Sequence, residues 1–187
     1  MTAFGWMLLG ALICGVALWL RQRLASFAAQ APRDYASTLP ALDLRHHLSG
    51  RIVCHGVIYG PLGRVASRFD AEFVGAWSGE TGTLREHFVY DSGTTQDREW
   101  RLSLGPDGAL TAEADDLVGR GHGQLSGASL MLRYRIRLPD EAGGHVLAVT
   151  DWMYLAPGGT IVNRSQFRKY GIKVAELVAT MKRMDAE

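Results

Sequence analysis

The 187-residue chain is 47% hydrophobic and sets 20 Lys and Arg against 19 Asp and Glu, a formal net charge of +1. This is about one domain's worth of material. It carries no basic field to hold a phosphate backbone, which argues against nucleic acid as a partner and against a disordered charged tail. The average hides a division: residues 1 to 20 contain 16 hydrophobic side chains and none of the charges.

That first stretch predicts a transmembrane helix. At about 1.5 Å of rise per residue, 17 to 20 helical residues reach across a hydrocarbon core of roughly 30 Å. Trp6 and Trp19 stand near its two ends, where amphipathic rings favour the headgroup level. A cleavable secretory signal would begin with Lys or Arg, whereas here Arg21 and Arg23 follow the apolar run. Lipoprotein processing before Cys14 would need a small residue at position 13, and Ile13 occupies it. Cys54 is the only other cysteine, so no disulfide framework is expected and the redox compartment stays open. Arg21, Arg23 and Arg33 after an uncharged start give a small positive-inside bias toward a cytoplasmic C-terminal domain, too small to fix the side. The expected organisation is an anchor over residues 1–22, a juxtamembrane linker over 23–39, a β-domain over 40–182 and a tail over 183–187.

In "PALDLRHHLSG", Asp43 is placed to cap a short helix ending at Gly50. Beyond it the texture changes, and 19 of the 22 Gly fall between positions 50 and 171. The clearest run is 130–138, with Leu130, Leu132, Tyr134, Ile136 and Leu138 on one parity and Met131, Arg133, Arg135 and Arg137 on the other. Period two predicts a strand with one apolar and one charged face. Similar runs lie at 51–59, 64–77, 83–91, 95–104, 109–116, 118–125, 145–155, 160–168 and 173–182. "YGPLG", "DSGT", "GPDG" and "PDEAGG" supply hairpin chemistry between them. The reading is all-β: nine or ten antiparallel strands running up and down, closed into a barrel that leaves no open edge. Side chains either fill the interior of such a barrel or leave one ligand cavity.

"GVIYGPLGRVASRFDAEFVGAW", "TLREHFVYDSGTTQDREWRLSL", "AEADDLVGRGHG", "YRIRLP", "VTDWMYL", "TIVNRSQFRKYG" and "VAEL", with the "PALDLRHHLSG" segment, resemble the bacterial family known as domain of unknown function 3833. The resemblance covers about residues 40–182. It rests on the ordered set Asp97-Arg98-Glu99-Trp100, Ala114-Asp115-Asp116, Asp151-Trp152-Met153-Tyr154 and Asn163-Arg164-Ser165. It implies a lipocalin-like (calycin-like) barrel, a bacterial envelope setting with an inner-membrane location, and lipid as the ligand class. The family's lipoprotein pattern is not met at Ile13-Cys14, so a transmembrane anchor replaces a lipid one.

The polar residues at those positions are the candidates for chemistry. On a strand, Arg98 shares a face with Trp100 and Leu102. A guanidinium among apolar side chains needs a partner, which Asp116 or Asp151 could supply. Arg98, Trp100, Asp116, Asp151, Trp152 and Arg164 are therefore the expected ligand-binding residues, gripping the head of an amphipathic molecule; the competing reading is a salt-bridge network closing one barrel end. Asp115 and Asp116 point to opposite faces and cannot act as an acid–base pair. Trp77, Trp100, Trp152, Tyr90, Tyr134 and Tyr154 read as barrel core. The six His show no metal-ligand spacing, "GRGHG" lacks the strand-to-helix setting of a phosphate loop, and no nucleophile elbow occurs, so neither metal nor cofactor is expected.

Three functions fit. The first is a membrane-anchored barrel that binds or carries a hydrophobic small molecule such as a fatty acid or lipid. The second is a lipid-modifying enzyme with Asp116, Asp151 or Glu86 as base and Arg98 or Arg164 as clamp. The third is a ligand-free envelope or assembly factor. Composition leaves the oligomeric state open.

Overall fold

A computed structural model describes residues 3–184; positions 1, 2 and 185–187, which hold the start of the expected anchor and most of the expected tail, lie outside the described residues. The elements in chain order are helix α1 (Ala3–Leu24), two short 3-10 turns (Phe27–Ala29 and Pro32–Tyr35), helix α2 (Leu44–His47) and ten strands. The strands are β1 (Gly50–Tyr59), β2 (Val65–Ser78), β3 (Thr81–Tyr90), β4 (Thr95–Leu104), β5 (Ala109–Glu113), β6 (Gly121–Ser126), β7 (Ser129–Arg137), β8 (Val146–Leu155), β9 (Ile161–Lys169) and β10 (Ile172–Arg183).

Each strand pairs antiparallel with its sequence neighbours, and β1 closes on β10 from Ile52 opposite Arg183 to Tyr59 opposite Glu176. The result is a closed ten-stranded barrel, so no edge is left unpaired. Period-two patterning decides which side chains face in. On β7, Leu130, Leu132 and Tyr134 are buried, while Arg133, Arg135 and Arg137 are exposed. On β2, Phe69, Ala71 and Phe73 alternate with exposed Arg68, Asp70 and Glu72. Cross-strand pairs such as Arg51–Glu72 and Arg85–Glu99 cover the outer wall; being exposed, they keep it polar and add little stability.

Two expected strands are shorter than the alternation suggests. β5 stops at Glu113 and β6 starts at Gly121, because the chain between them leaves the ladder and bonds to the end of β7. The Val118 N–H donates to the Arg135 carbonyl and the Arg137 N–H to the Asp116 carbonyl, both at 2.8 Å. This crossing segment carries Asp116 to the barrel mouth.

The other end is plugged. The Asp43 carboxylate accepts from the Arg45 N–H at 3.0 Å, starting the single turn of α2, as expected from its position. Leu42, Leu44 and Leu48 are buried against the core. The plug lies directly on β2: a Cβ at Gly75 would stand 1.9 Å from the Leu48 carbonyl oxygen, which also accepts from the Trp77 indole N–H at 3.0 Å.

Residues 25–39 form a strap along the outside of the barrel. Gln30 Oε1 accepts from the Tyr154 hydroxyl at 2.5 Å and from that of Tyr35. The Tyr35 ring packs edge-on against Trp152 and Tyr154 at 5.2 and 5.5 Å. Thr38 Oγ1 accepts from the Ala128 N–H at 2.8 Å, and Phe27 is buried. Ahead of the strap, α1 is apolar and unburied; its Ala3–Arg21 stretch is long enough to cross a bilayer, a property that signal sequences and membrane anchors share.

Candidate ligand-binding site

Inside the barrel lies a cavity of about 590 Å³, running from Leu44 and Leu48 of the plug to Asp116, Leu138 and Pro139 at the open end. Most of its wall is apolar, with Phe69, Phe73, Phe88, Trp100, Leu132 and Leu177 among the lining residues. Its volume falls within the range of small-molecule sites, roughly 300–1,000 Å³.

The polar groups gather part-way along it. Arg98 on β4 projects inward, its guanidinium carbon 3.9 Å above the centre of the Trp100 ring and 5.7 Å from that of Tyr134. Its Nε–H donates to Asp116 Oδ1 at 3.2 Å. Nη2 lies 3.0 Å from the same oxygen but makes no hydrogen bond of acceptable geometry, and it is buried. Burial opposes the Arg98 charge, but Tyr134, Glu86 and Asp116 outweigh it and hold the guanidinium protonated. Glu86 stands opposite Arg98 in the β3–β4 register and is 9% exposed. Burial pushes its carboxyl up to about 7, against the pull of Arg98 and a hydrogen bond from Trp100.

Asp151 faces inward from β8, bonded by Ser165 Oγ at 2.7 Å and by the Asn163 amide, both to Oδ1. Burial raises its pKa, and those two bonds limit the rise. Burial likewise raises Tyr134, and the Cys54 thiol on the cavity wall is pushed up to about 12, which leaves it unreactive at neutral pH. Among the described residues, no group of three His, Cys, Asp or Glu could hold a metal ion.

Of the six expected ligand-binding residues, Arg98, Trp100, Asp116 and Asp151 border this cavity. Asp116, not Asp151, supplies the carboxylate to Arg98. Trp152 and Arg164 do not reach the cavity. They follow Asp151 and Asn163 by one position and so point outward. Trp152 is buried beneath Tyr35 of the strap, and with Tyr154 it packs outside the barrel wall rather than in its core. Arg164 pairs with Glu176 at 2.5 Å and lies over the Phe27 ring. Burial alone would raise Glu176, but Lys173 and Arg164 outweigh it and hold the carboxyl low. Asn163 and Ser165, which fix Asp151, and the strap residues Gln30 and Tyr35 were absent from the expected set. The parity rule could have found the first two, since both share the inward parity of Ile161.

A closed antiparallel barrel, plugged at one end and hollow toward the other, is the architecture of the lipocalin-like proteins. Solved structures similar to it include two that share most of the barrel. The S-type phycobiliprotein lyase CPES from Guillardia theta gives a TM-score of 0.57 at 6% identity, over 84% of this chain and 99% of that one. Rv2717c from M. tuberculosis gives 0.54 at 18% identity, over 80% and 100%. At these identities the likeness is one of fold alone. A comparison with curated proteins returns no match. The chain belongs to the family described as protein of unknown function (DUF3833), whose profile matches residues 22–183. The match therefore takes in the strap as well as the barrel.

Proposed function

We propose that this protein is a membrane-anchored barrel that binds a hydrophobic small molecule or lipid in its interior, with α1 as a single-pass anchor. The observation that carries this reading is the 590 Å³ apolar-walled cavity with a polar cluster part-way along it. An interior space of that size with a mostly apolar wall offers water few hydrogen-bonding partners and suits an apolar occupant. Tethering supports the reading, since it holds the mouth within reach of a poorly soluble molecule. The lyase neighbour lends its fold and, at 6% identity, nothing about its activity.

Native mass spectrometry of the full chain, purified in detergent and released from the micelle, tests the proposal. One lipid-sized adduct per chain is expected, weakened in Leu177→Trp, whose larger side chain narrows the cavity. A wild-type protein without an adduct, or an adduct that Leu177→Trp leaves unchanged, would overturn it.

The enzyme reading has one supporting observation, a buried Glu86 whose carboxyl is pushed up to about 7, a value suited to proton transfer at neutral pH. It requires that Glu86→Gln, still folded and still binding, fail to restore the lipid composition of a deletion strain.

A further inference from the structure

Resting on the reading that the cavity takes an amphipathic molecule, we propose that it selects a neutral head group that both donates and accepts hydrogen bonds, a hydroxyl or an amide, and discriminates against a carboxylate. Five carboxyl groups line the cavity: Asp115 and Asp140 toward the open end, and Glu86, Asp116 and Asp151 around one inward cation, Arg98; the other lining arginine, Arg137, stands at the mouth on the outward parity of β7. Barrels that take fatty acids by their carboxylate need an uncommitted cation. Here Asp116 already occupies the Nε side of the guanidinium, Trp100 covers one face of it, and Glu86 faces it across the ladder. An anionic head would have to displace Asp116 or share a low-dielectric space with it and Asp151.

The unused hydrogen-bonding positions identify the complementary group. Arg98 Nη2, although 3.0 Å from Asp116 Oδ1, is buried and makes no hydrogen bond of acceptable geometry, so it has a proton to offer an acceptor. Asp151 takes its bonds from Ser165 and Asn163 on Oδ1, so Oδ2 is the oxygen left to meet a ligand. A hydroxyl or an amide, which both donates and accepts, can serve Arg98 and either protonation state of Asp151. A carboxylate has no proton to donate and adds a negative charge beside Asp116, and an ammonium has no lone pair for Arg98 and adds a second positive charge beside it.

The test uses dibrominated octadecanol, stearate and octadecylamine, delivered from cyclodextrin to the full-length protein at pH 8 and read by quenching of tryptophan emission, Trp100 being the indole on the cavity wall. The alcohol is expected to bind at least tenfold more tightly than either charged analogue. Asp116→Asn, which frees Arg98, is expected to bring stearate within a few-fold of the alcohol; if that variant does not fold, Glu86→Gln carries the same expectation. Stearate or octadecylamine binding wild-type protein as tightly as the alcohol would overturn the selection of a neutral head and leave the ligand-binding reading standing. Failure of all three to quench would overturn both.

Discussion

Replacing Glu86 by Gln tests the electrostatics of the barrel interior most directly. The carboxyl rises from 4.5 in the unfolded chain to about 7 in the fold, with burial as the main cause. Between those values the unfolded chain has released its proton and the native state still holds it. The favourable contribution is therefore complete below pH 4.5, declines as pH rises toward 7, and is absent above. A displacement of that size corresponds to about 3 kcal/mol. Asp151 is also raised, and Asp91 and Glu176 are lowered, so the wild-type profile is a sum of opposite slopes. Subtracting the Glu86→Gln profile isolates one group. Urea unfolding of the full chain, followed by tryptophan emission at several pH values from 4.5 to 8, is expected to show the wild type losing about 3 kcal/mol relative to the variant across that range. A difference that stays flat, or grows in favour of the wild type as pH rises, would refute the assignment of Glu86 as a buried carboxyl neutral in weak acid.

Two further outcomes follow from the geometry. Asp116→Ala leaves Arg98 with Glu86 as its nearest carboxylate, so the cost is expected at the low end for a broken buried pair, about 3 kcal/mol, with the Glu86 transition moving below pH 7; a variant as stable as the wild type would mean that the pair carries no weight. Gly127→Ala sets a Cβ 2.0 Å from the Tyr35 carbonyl oxygen at a φ of +52°, which should loosen the strap at a cost of roughly 1–3 kcal/mol. Trypsin should then cut at Arg33 faster while the barrel persists, and an unchanged rate would show that this contact does not hold the strap.

The strands could be read from the sequence because each carries its own alternation, as Leu130 to Arg137 does, and because a closed barrel makes most of its inner wall apolar. The same alternation bears on the site. Asp151 and Trp152 cannot share a face, nor can Asn163 and Arg164, so in each pair only the first residue faces the cavity. Glu86, on the parity of Leu84 and Phe88, is already a candidate base, but its neighbours Arg98 and Trp100 follow only from the β3–β4 register. The strap was hidden for a different reason: Tyr35 and Gln30 have no alternation or helical period of their own, and much of their order comes from packing on Trp152 and Tyr154. The crossing of residues 114–120 to β7 likewise depends on a distant partner, Arg135, that no local window contains.

The strap also sets how far the barrel can travel. A free linker of about 15 residues would let a tethered domain sample a radius of some 20 Å and turn in any direction. Here only Ala25 and Ser26 separate α1 from the first 3-10 turn, a free length of roughly 7 Å. With α1 in a bilayer, as proposed, the barrel becomes a bracket bolted beside its own membrane, able to serve molecules leaving or entering that one surface and unable to ferry them across a gap to another.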